Sequence, residues 1–473
     1  MSDHHIIITP TETPLPIAQA AEAIQTALQQ HGRDGANPLH PPGTLMLFRQ
    51  PLQPSDPAKW LAAQNIRPRI FWRNREQDYA AAGIGVADRI TYSGREQNSS
   101  AFRILGESMA QKSRAARYFG GISFNNIEQQ DHDWKNFPAF SFILPLLELS
   151  MENGACTLTC HILAGTPDET LARIEDARTL IASLPSDAGD NGERLPAVTG
   201  RSCSPDREGW IRNCGKAIAT FEDGSTEKIM LARKTTLEFA SACNPMLFLL
   251  RHPYPQNSTY RFYFEPEEGC AFLSFTPERL YRRDGSRLLT EALAGTCSKE
   301  GADLTDEHAS RALLGSEKDI REHRFVKDMI YNELLPACSQ IEMEDEVQVL
   351  QLNRLAHLYT RCSAVLKPEC TDDGEVLSIL HPTPAVGGVP KEEAMRHIME
   401  LEPFSRGWYA APVGWIMRDA AEFAVGIRSA LVNGTTASLY SGAGLVRGSD
   451  PELEWDEVEQ KIGDLLAITE DKA

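Results

Sequence analysis

Positive charge is what this sequence has least of relative to its acid: 47 Lys and Arg stand against 66 Asp and Glu, a formal net charge of −19. Phosphate binding draws on a basic surface, so nucleic acid and anionic membranes are excluded as expected partners. An anionic small molecule would need a local cationic pocket set against the protein's own field. Long apolar runs are also missing; the best, FSFILPLL from Phe140 to Leu147, is too short and too interrupted to span a bilayer. The start, MSDHHIIITPTETP, has no basic stretch ahead of its three isoleucines, so no signal peptide is expected and the cytoplasm is the expected location. Paired cysteines are scarce too. Of the 10 cysteines only Cys156 and Cys160 lie close together, with no second Cys or His pair nearby, which excludes a zinc site and leaves buried free thiols in a reducing compartment as the expectation. There is no internal repeat and no low-complexity tract.

What is present is ordinary for a soluble globular chain: 42% hydrophobic and 24% charged residues over 473 positions, enough for one large or two interlocked subdomains. Ile17, Ala21, Ile24 and Leu28 mark an amphipathic helix, TLMLF (Thr44 to Phe48) and RIFW (Arg69 to Trp72) read as strands, and Asn153-Gly154 reads as a hairpin turn. Thr166, Pro167 and Glu169 spell a capping box that opens a helix. The polar stretch from Pro185 to Pro205 is the linker candidate, which divides the chain into 1–184, 185–205 and 206–470. A helix around Trp210, Cys214 and Ala217 follows, then strands through about Thr296 and a long helical stretch from about Thr305 to Leu335. Strands joined by hairpin-like turns and interrupted by a few long helices indicate α+β with largely antiparallel sheets.

Chemistry-bearing residues concentrate in the second half. Ser441 to Lys461 places Gly442, Ala443 and Gly444, read as a turn, before a helix that Asp450 caps and Pro451 starts. On that helix Glu454, Glu457 and Lys461 fall on one face, which on spacing alone is more often a solvated helix with internal ion pairs but also suits a hard cation and a carboxylate together. Lys228 opens the apolar strand of EKIMLAR, where a lysine commonly snorkels from a strand end. Glu278 in FTPERL follows a proline at the end of an aromatic strand, where a glutamate is commonly solvated. TEALAGT (Thr290 to Thr296) ends in small residues that would let a ligand lie on backbone or simply make a turn. SEKDIREH (Ser316 to His323) puts Asp319 and Glu322 on one helix face. Arg428 falls in an apolar alternating run and needs an anionic partner if it faces inward. His357, in LAHLYT, is a satisfied core histidine or a donor to substrate.

Taken in order, KIMLAR, FTPERL, TEALAGT, SEKDIREH, HPTPAVGG, RGWYAAPVGW and GAGLVRGSDPELEW resemble the chorismate-utilising enzymes, the isochorismate synthases most of all. The resemblance runs from about Ser204 to Ile468; residues 1–184 have no matching motif and resemble the family only in length and in mixing strands with helices. It implies a large α/β sandwich like that of anthranilate synthase component I, with helices outside, residues 1–184 as a variable part of the same sandwich, and 206–470 as the chorismate-binding region. It implies Mg²⁺ as sole cofactor, on Glu322 and Glu457 with Glu454 meeting the ion directly or through water. Arg428, Tyr409, Lys461 and the backbone at Gly442, Ala443 and Gly444 would hold the carboxylates of chorismate, and Gly295, Thr296 and His357 would line its ring. Lys228 would take a proton from water attacking C2, and Glu278 would protonate the departing C4 hydroxyl. A lysine base needs its ammonium form disfavoured, and a glutamic acid needs its proton held near neutrality.

Within the family, relatives that add ammonia typically lack lysine at position 228, aminodeoxychorismate synthases often carry one where Ala294 stands, and this chain holds no glutaminase region. Water is therefore the expected nucleophile, isochorismate the expected product, and a glutaminase subunit is not expected; a monomer is. Salicylate synthases share base, acid and metal ligands and go on to expel pyruvate, so salicylate formation is the alternative. A chorismate-binding subunit without catalysis is the alternative of another kind, against which all the named residues are present.

Overall fold

Apolar residues alternate with period two along the strands, and that alternation decides which face each side chain covers. Phe262, Phe264 and Phe272 point into one core, while Tyr263, Ala271 and Leu273 between them point into another. In the computed structural model, which describes residues 5–33, 40–127, 131–185, 193–252, 259–299, 305–351 and 355–470, the strands among those residues form sheets of 13 and 10 strands. The first core joins residues of both sheets, Trp72, Ile229 and Phe272 from the larger with Tyr281, Phe423 and Val413 from the smaller. The second packs the opposite face of the larger sheet under helices Ile17–Arg33 and Pro167–Ala182, which contribute Ile24, Leu28, Ile174 and Ile181. The architecture is an α+β sandwich, and among the described strands every pairing but one is antiparallel, the exception joining His5–Ile8 to Leu45–Leu52.

Both sheets mix the two halves of the chain. Strands Arg69–Arg73 and Tyr79–Ile84 continue the larger sheet beside Tyr260–Glu267, and Tyr118–Ile122 pairs with Pro412–Ile416 in the smaller. The chain crosses between sheets twice near what will be the site: at Pro277-Glu278, between strands Cys270–Thr276 and Arg279–Asp284, and at 426–428, between Ala420–Val425 and Ser429–Asn433.

Several local expectations hold. The hairpin turns at Asn153 and Gly154 with positive φ at both, and Thr166 and Glu169 make both bonds of the capping box. Three do not. Part of the stretch expected as a linker is a strand, Val198–Ser204, because it pairs with the edge of Lys228–Phe239. The helical stretch near 305–335 is two helices, Asp306–Gly315 and Glu317–Leu334, because Ser316 leaves the helical backbone and caps the second by accepting the Asp319 N–H at 3.2 Å. Gly442, Ala443 and Gly444 are no turn but lie inside strand Thr436–Val446. Glycine serves close approach there: a Cβ at 442 would stand 2.5 Å from the Leu231 carbonyl oxygen, and one at 444 would stand 3.0 Å from Lys228 Cε. No helix among the described residues is long and apolar enough to cross a membrane. All 10 cysteines are free, seven of them buried.

Candidate active site

Where the chain crosses between the sheets, one cavity gathers residues from nine separate stretches of sequence. Lys228, Glu278, Gly295, Thr296, Glu322, His357, Tyr409, Arg428, Gly442, Gly444, Glu454, Glu457 and Lys461 all line it. Ala443 does not, because in a strand its side chain takes the face opposite to its neighbours' and packs in the core. Sequence reasoning missed Asp319 as a lining residue, along with Pro277, Ala385, Val386 and Ser441. Asp319 shares its helix face with Glu322, as the spacing predicts, but the spacing alone gives it no role; Ala385 and Val386 lie in HPTPAVGG, which was singled out without a role.

Lys228 begins its strand yet is only 4% exposed, so it does not snorkel to solvent. Its Nζ donates to Glu322 Oε1 at 2.9 Å. Glu278 is buried rather than solvated because it sits at the sheet crossing and not on a free strand end. Thr383 Oγ1 donates to its Oε1 at 3.3 Å. Burial, reinforced by the nearby Glu291 carboxylate, pushes Glu278 up to about 8, so it holds its proton at neutral pH.

Ala232 gives its N–H to Glu402, and Met230 gives its N–H to Gly387 while its carbonyl accepts from Arg406 Nη2. Their ladder partners Gly442 and Gly444 therefore stand at non-hydrogen-bonded positions, with their own backbone groups turned away from the Lys228 strand. Lys461 confirms the direction: its Nζ donates to the Gly442 carbonyl at 2.9 Å and pairs with Glu457 at 2.6 Å. Burial alone would raise Glu457, but Lys461 and Arg428 beside it hold its carboxyl below the usual range. Arg428 lies outside the strand expected for it, in the crossing segment with φ of 49°, a left-handed backbone that side chains adopt at a cost of about 1–3 kcal/mol. There it donates to the Lys461 carbonyl at 3.1 Å and faces the cavity.

Strand Arg287–Ser298 bulges between Ala294 and Thr296, opposite Leu358 and His357. Gly295 supplies the positive φ of 75° that the bulge requires. The Gly295 carbonyl can only accept, so His357 Nδ1, 3.1 Å away, carries the ring proton. Nε2 is then an acceptor, buried without a partner among the described residues, and burial with Arg428 nearby pushes the ring down to about 3. The expected donor is thus an acceptor. Gly295→Ala should lower stability by about 1–2 kcal/mol, since alanine resists the left-handed region and its Cβ would stand 3.2 Å from that of Asp319. A denaturant midpoint equal to wild type would remove the bulge as a constraint.

Oxygen donors alone suit a hard cation, and Glu322, Glu454, Glu457 and Asp319 are the candidates. Glu322 and Glu457 each have a lysine on them, and among the described residues no three acidic, His or Cys groups stand close enough to share one ion as placed. The donor chemistry fits such an ion, which would compete with Lys228 and Lys461 for those two carboxylates.

Comparison with known proteins agrees with this geometry. Isochorismate synthase MenF of Bacillus subtilis (strain 168) is 30% identical over 445 residues, 89% of this chain and 93% of that protein. Isochorismate synthase MenF of Escherichia coli (strain K12) is 32% identical over 413 residues, 87% and 90%. The solved structure of MenF, the menaquinone-specific isochorismate synthase from Escherichia coli, superposes with a TM-score of 0.82 at 29% identity, covering 96% of this chain and all of that one. Anthranilate synthase component I from Streptococcus pneumoniae TIGR4, at 18% identity and a TM-score of 0.66 over 83% of this chain and 92% of that one, shares the fold. The model of the family described as chorismate binding enzyme matches residues 36–470, a span that takes in both halves of the sandwich and every residue lining the cavity, and the chain belongs to that family.

Proposed function

We propose that the chain interconverts chorismate and isochorismate with Mg²⁺ as its cofactor. Water adds at C2 and gives a proton to Lys228, the ring double bonds move, and the C4–O bond breaks as Glu278 gives its proton to the leaving hydroxyl; no atom is gained or lost. The observation that supports this best is a glutamic acid kept protonated to about pH 8 in the same cavity as a buried lysine. Water adds at one ring carbon while hydroxide leaves another, and each step uses one of the two groups. Arg428 and Lys461 suit the substrate carboxylates, Tyr409, Gly442 and Gly444 the surrounding wall, and Thr296 with the His357 Nε2 acceptor the ring and its hydroxyl.

Charge supports the cofactor. The cavity lining carries five acids, Glu278, Asp319, Glu322, Glu454 and Glu457, against three cations, Lys228, Arg428 and Lys461. With Glu278 protonated the balance is one negative charge (4 − 3), or two (4 − 2) once Lys228 is the neutral amine that its role as base requires, and a dianionic substrate would be repelled. A divalent ion held by Glu322, Glu457 and Glu454 would offset that charge and polarise a bound carboxylate.

Purified protein given chorismate and Mg²⁺, with and without ammonium, should yield isochorismate at a plateau short of completion, because substrate and product differ mainly in where one hydroxyl sits. Ammonium should change nothing; EDTA should stop turnover and Mg²⁺ restore it. Salicylate with equimolar pyruvate, anthranilate formed only with ammonium, or untouched chorismate would each overturn the proposal, and full activity in EDTA would overturn its metal. We propose that the chain acts without a glutaminase subunit, because its nucleophile is water and not ammonia.

A further inference from the structure

Behind Glu278, away from the substrate side, lies a buried ion pair that nothing above assigns to the reaction. Arg75, from the turn between strands Arg69–Arg73 and Tyr79–Ile84, meets Glu291 of strand Arg287–Ser298 with two parallel bonds of 2.7 Å. The arginine side chain is 8% exposed and the glutamate's is fully buried. Each partner also holds one of the two peptides flanking Glu278. Arg75 Nη1 donates to the Pro277 carbonyl at 2.8 Å, and Glu291 Oε1 accepts the Arg279 N–H at 2.8 Å.

We infer that Arg75 and Glu291 are positioning residues for Glu278, and that the amino-terminal region supplies half of the device that aims the acid into the cavity. The turn is built to deliver Arg75: Gln77 takes a left-handed φ of 63°, the Asn74 and Tyr79 backbones are bonded at 3.0 Å, and Asn74 Oδ1 accepts the Tyr79 N–H at 3.0 Å. A planar guanidinium matches a carboxylate in two bonds at once, so the pair fixes orientation as well as distance. The same pair sets the field at Glu278. Its carboxyl is surrounded by Glu291, Lys228, Lys461, Tyr409 and the Thr383 hydroxyl; Glu291 favours the proton and the two lysines oppose it. Arg75 and Arg279 act on Glu278 through the glutamate they neutralise.

This inference rests on the proposed role of Glu278 as acid, and the experiment separates the two. The pH dependence of kcat/KM is measured, with kcat and KM, for wild type, Arg75→Met, Arg75→Lys, Glu291→Gln and Glu278→Gln. Arg75→Met leaves Glu291 with only Arg279, 3.7 Å away, and should move the alkaline limb up by about one unit, with kcat down roughly tenfold and KM little changed. Glu291→Gln should move the same limb down by about one unit. Lysine at 75 restores the charge but not the fork, so its limb should return towards wild type while kcat stays low. If Arg75→Met fails to fold because it weakens the pairing of a buried carboxylate, the double variant Arg75→Met, Glu291→Gln removes that carboxylate, leaves Arg279 with Glu76 and Glu422, and should show the downward limb with reduced kcat. Limbs that stay in place, or shift the same way in both single variants, overturn the inference. Turnover surviving in Glu278→Gln overturns the assignment of the acid instead.

Discussion

Glu278→Gln will leave a folded protein with kcat lowered by about 10²–10⁴-fold, the range a positioned proton donor contributes, and with KM changed little. Glutamine has the same shape and can still accept from Thr383, so the substitution removes a proton and little else. Wild type should lose kcat/KM as pH rises through about 8, where the buried acid ionises. Stability gives a second, independent reading of the same group. The folded value near 8 lies above the ordinary 4.5, so the native state binds this proton more tightly than the unfolded chain does. Its contribution is complete below pH 4.5 and is lost progressively as pH rises through about 8. Glutamine does not titrate, so the variant should gain stability relative to wild type between pH 5 and 8. Denaturant unfolding at those two pH values, run beside the kinetics, checks both halves. A stability difference independent of pH would mean that Glu278 is not a buried acid, whatever its turnover.

The cavity was legible through its ordered motifs and not through its residues taken singly. A lysine at the head of an apolar strand, a glutamate after proline at the end of an aromatic one, and two glutamates with a lysine on one helix face each have an ordinary structural reading before any fold is known. Composition and spacing alone do not show their convergence, since the stretches meet only in the folded chain. Where local pattern failed, tertiary contact was the reason. Gly442 and Gly444 look like a turn because glycine suits turns, yet here it admits a neighbouring carbonyl and a lysine stem. Arg428 looks like a strand residue because its neighbours alternate, yet the chain there passes from one sheet to the other. Ala443 shares its neighbours' sequence and not their face. Arg75 lies 216 residues from Glu291, in a turn whose composition signals only a turn. Nothing in residues 1–184 points to chemistry when read alone, because what that region gives to the site it gives through a partner in the other half.

Lys228→Ala should also lower kcat by about 10²–10⁴-fold if it removes the proposed acceptor of the proton from water. The lysine stem is buried against Gly444 and its Nζ is held by Glu322, so one side chain could serve as a base or simply as the fixed cation opposite a carboxylate. Lys228→Arg distinguishes the two. Arginine keeps the positive charge beside Glu322 but stays protonated at any working pH, so it can neutralise and cannot accept. It should therefore be as inactive as alanine in kcat while holding KM closer to wild type. Excess Mg²⁺ should not restore Lys228→Ala, although Glu322 loses its lysine there, because what is missing is a proton acceptor and not a charge. Turnover regained in Lys228→Arg, or in Lys228→Ala at high Mg²⁺, would make position 228 an electrostatic support and leave the attacking water to find its base elsewhere in the cavity.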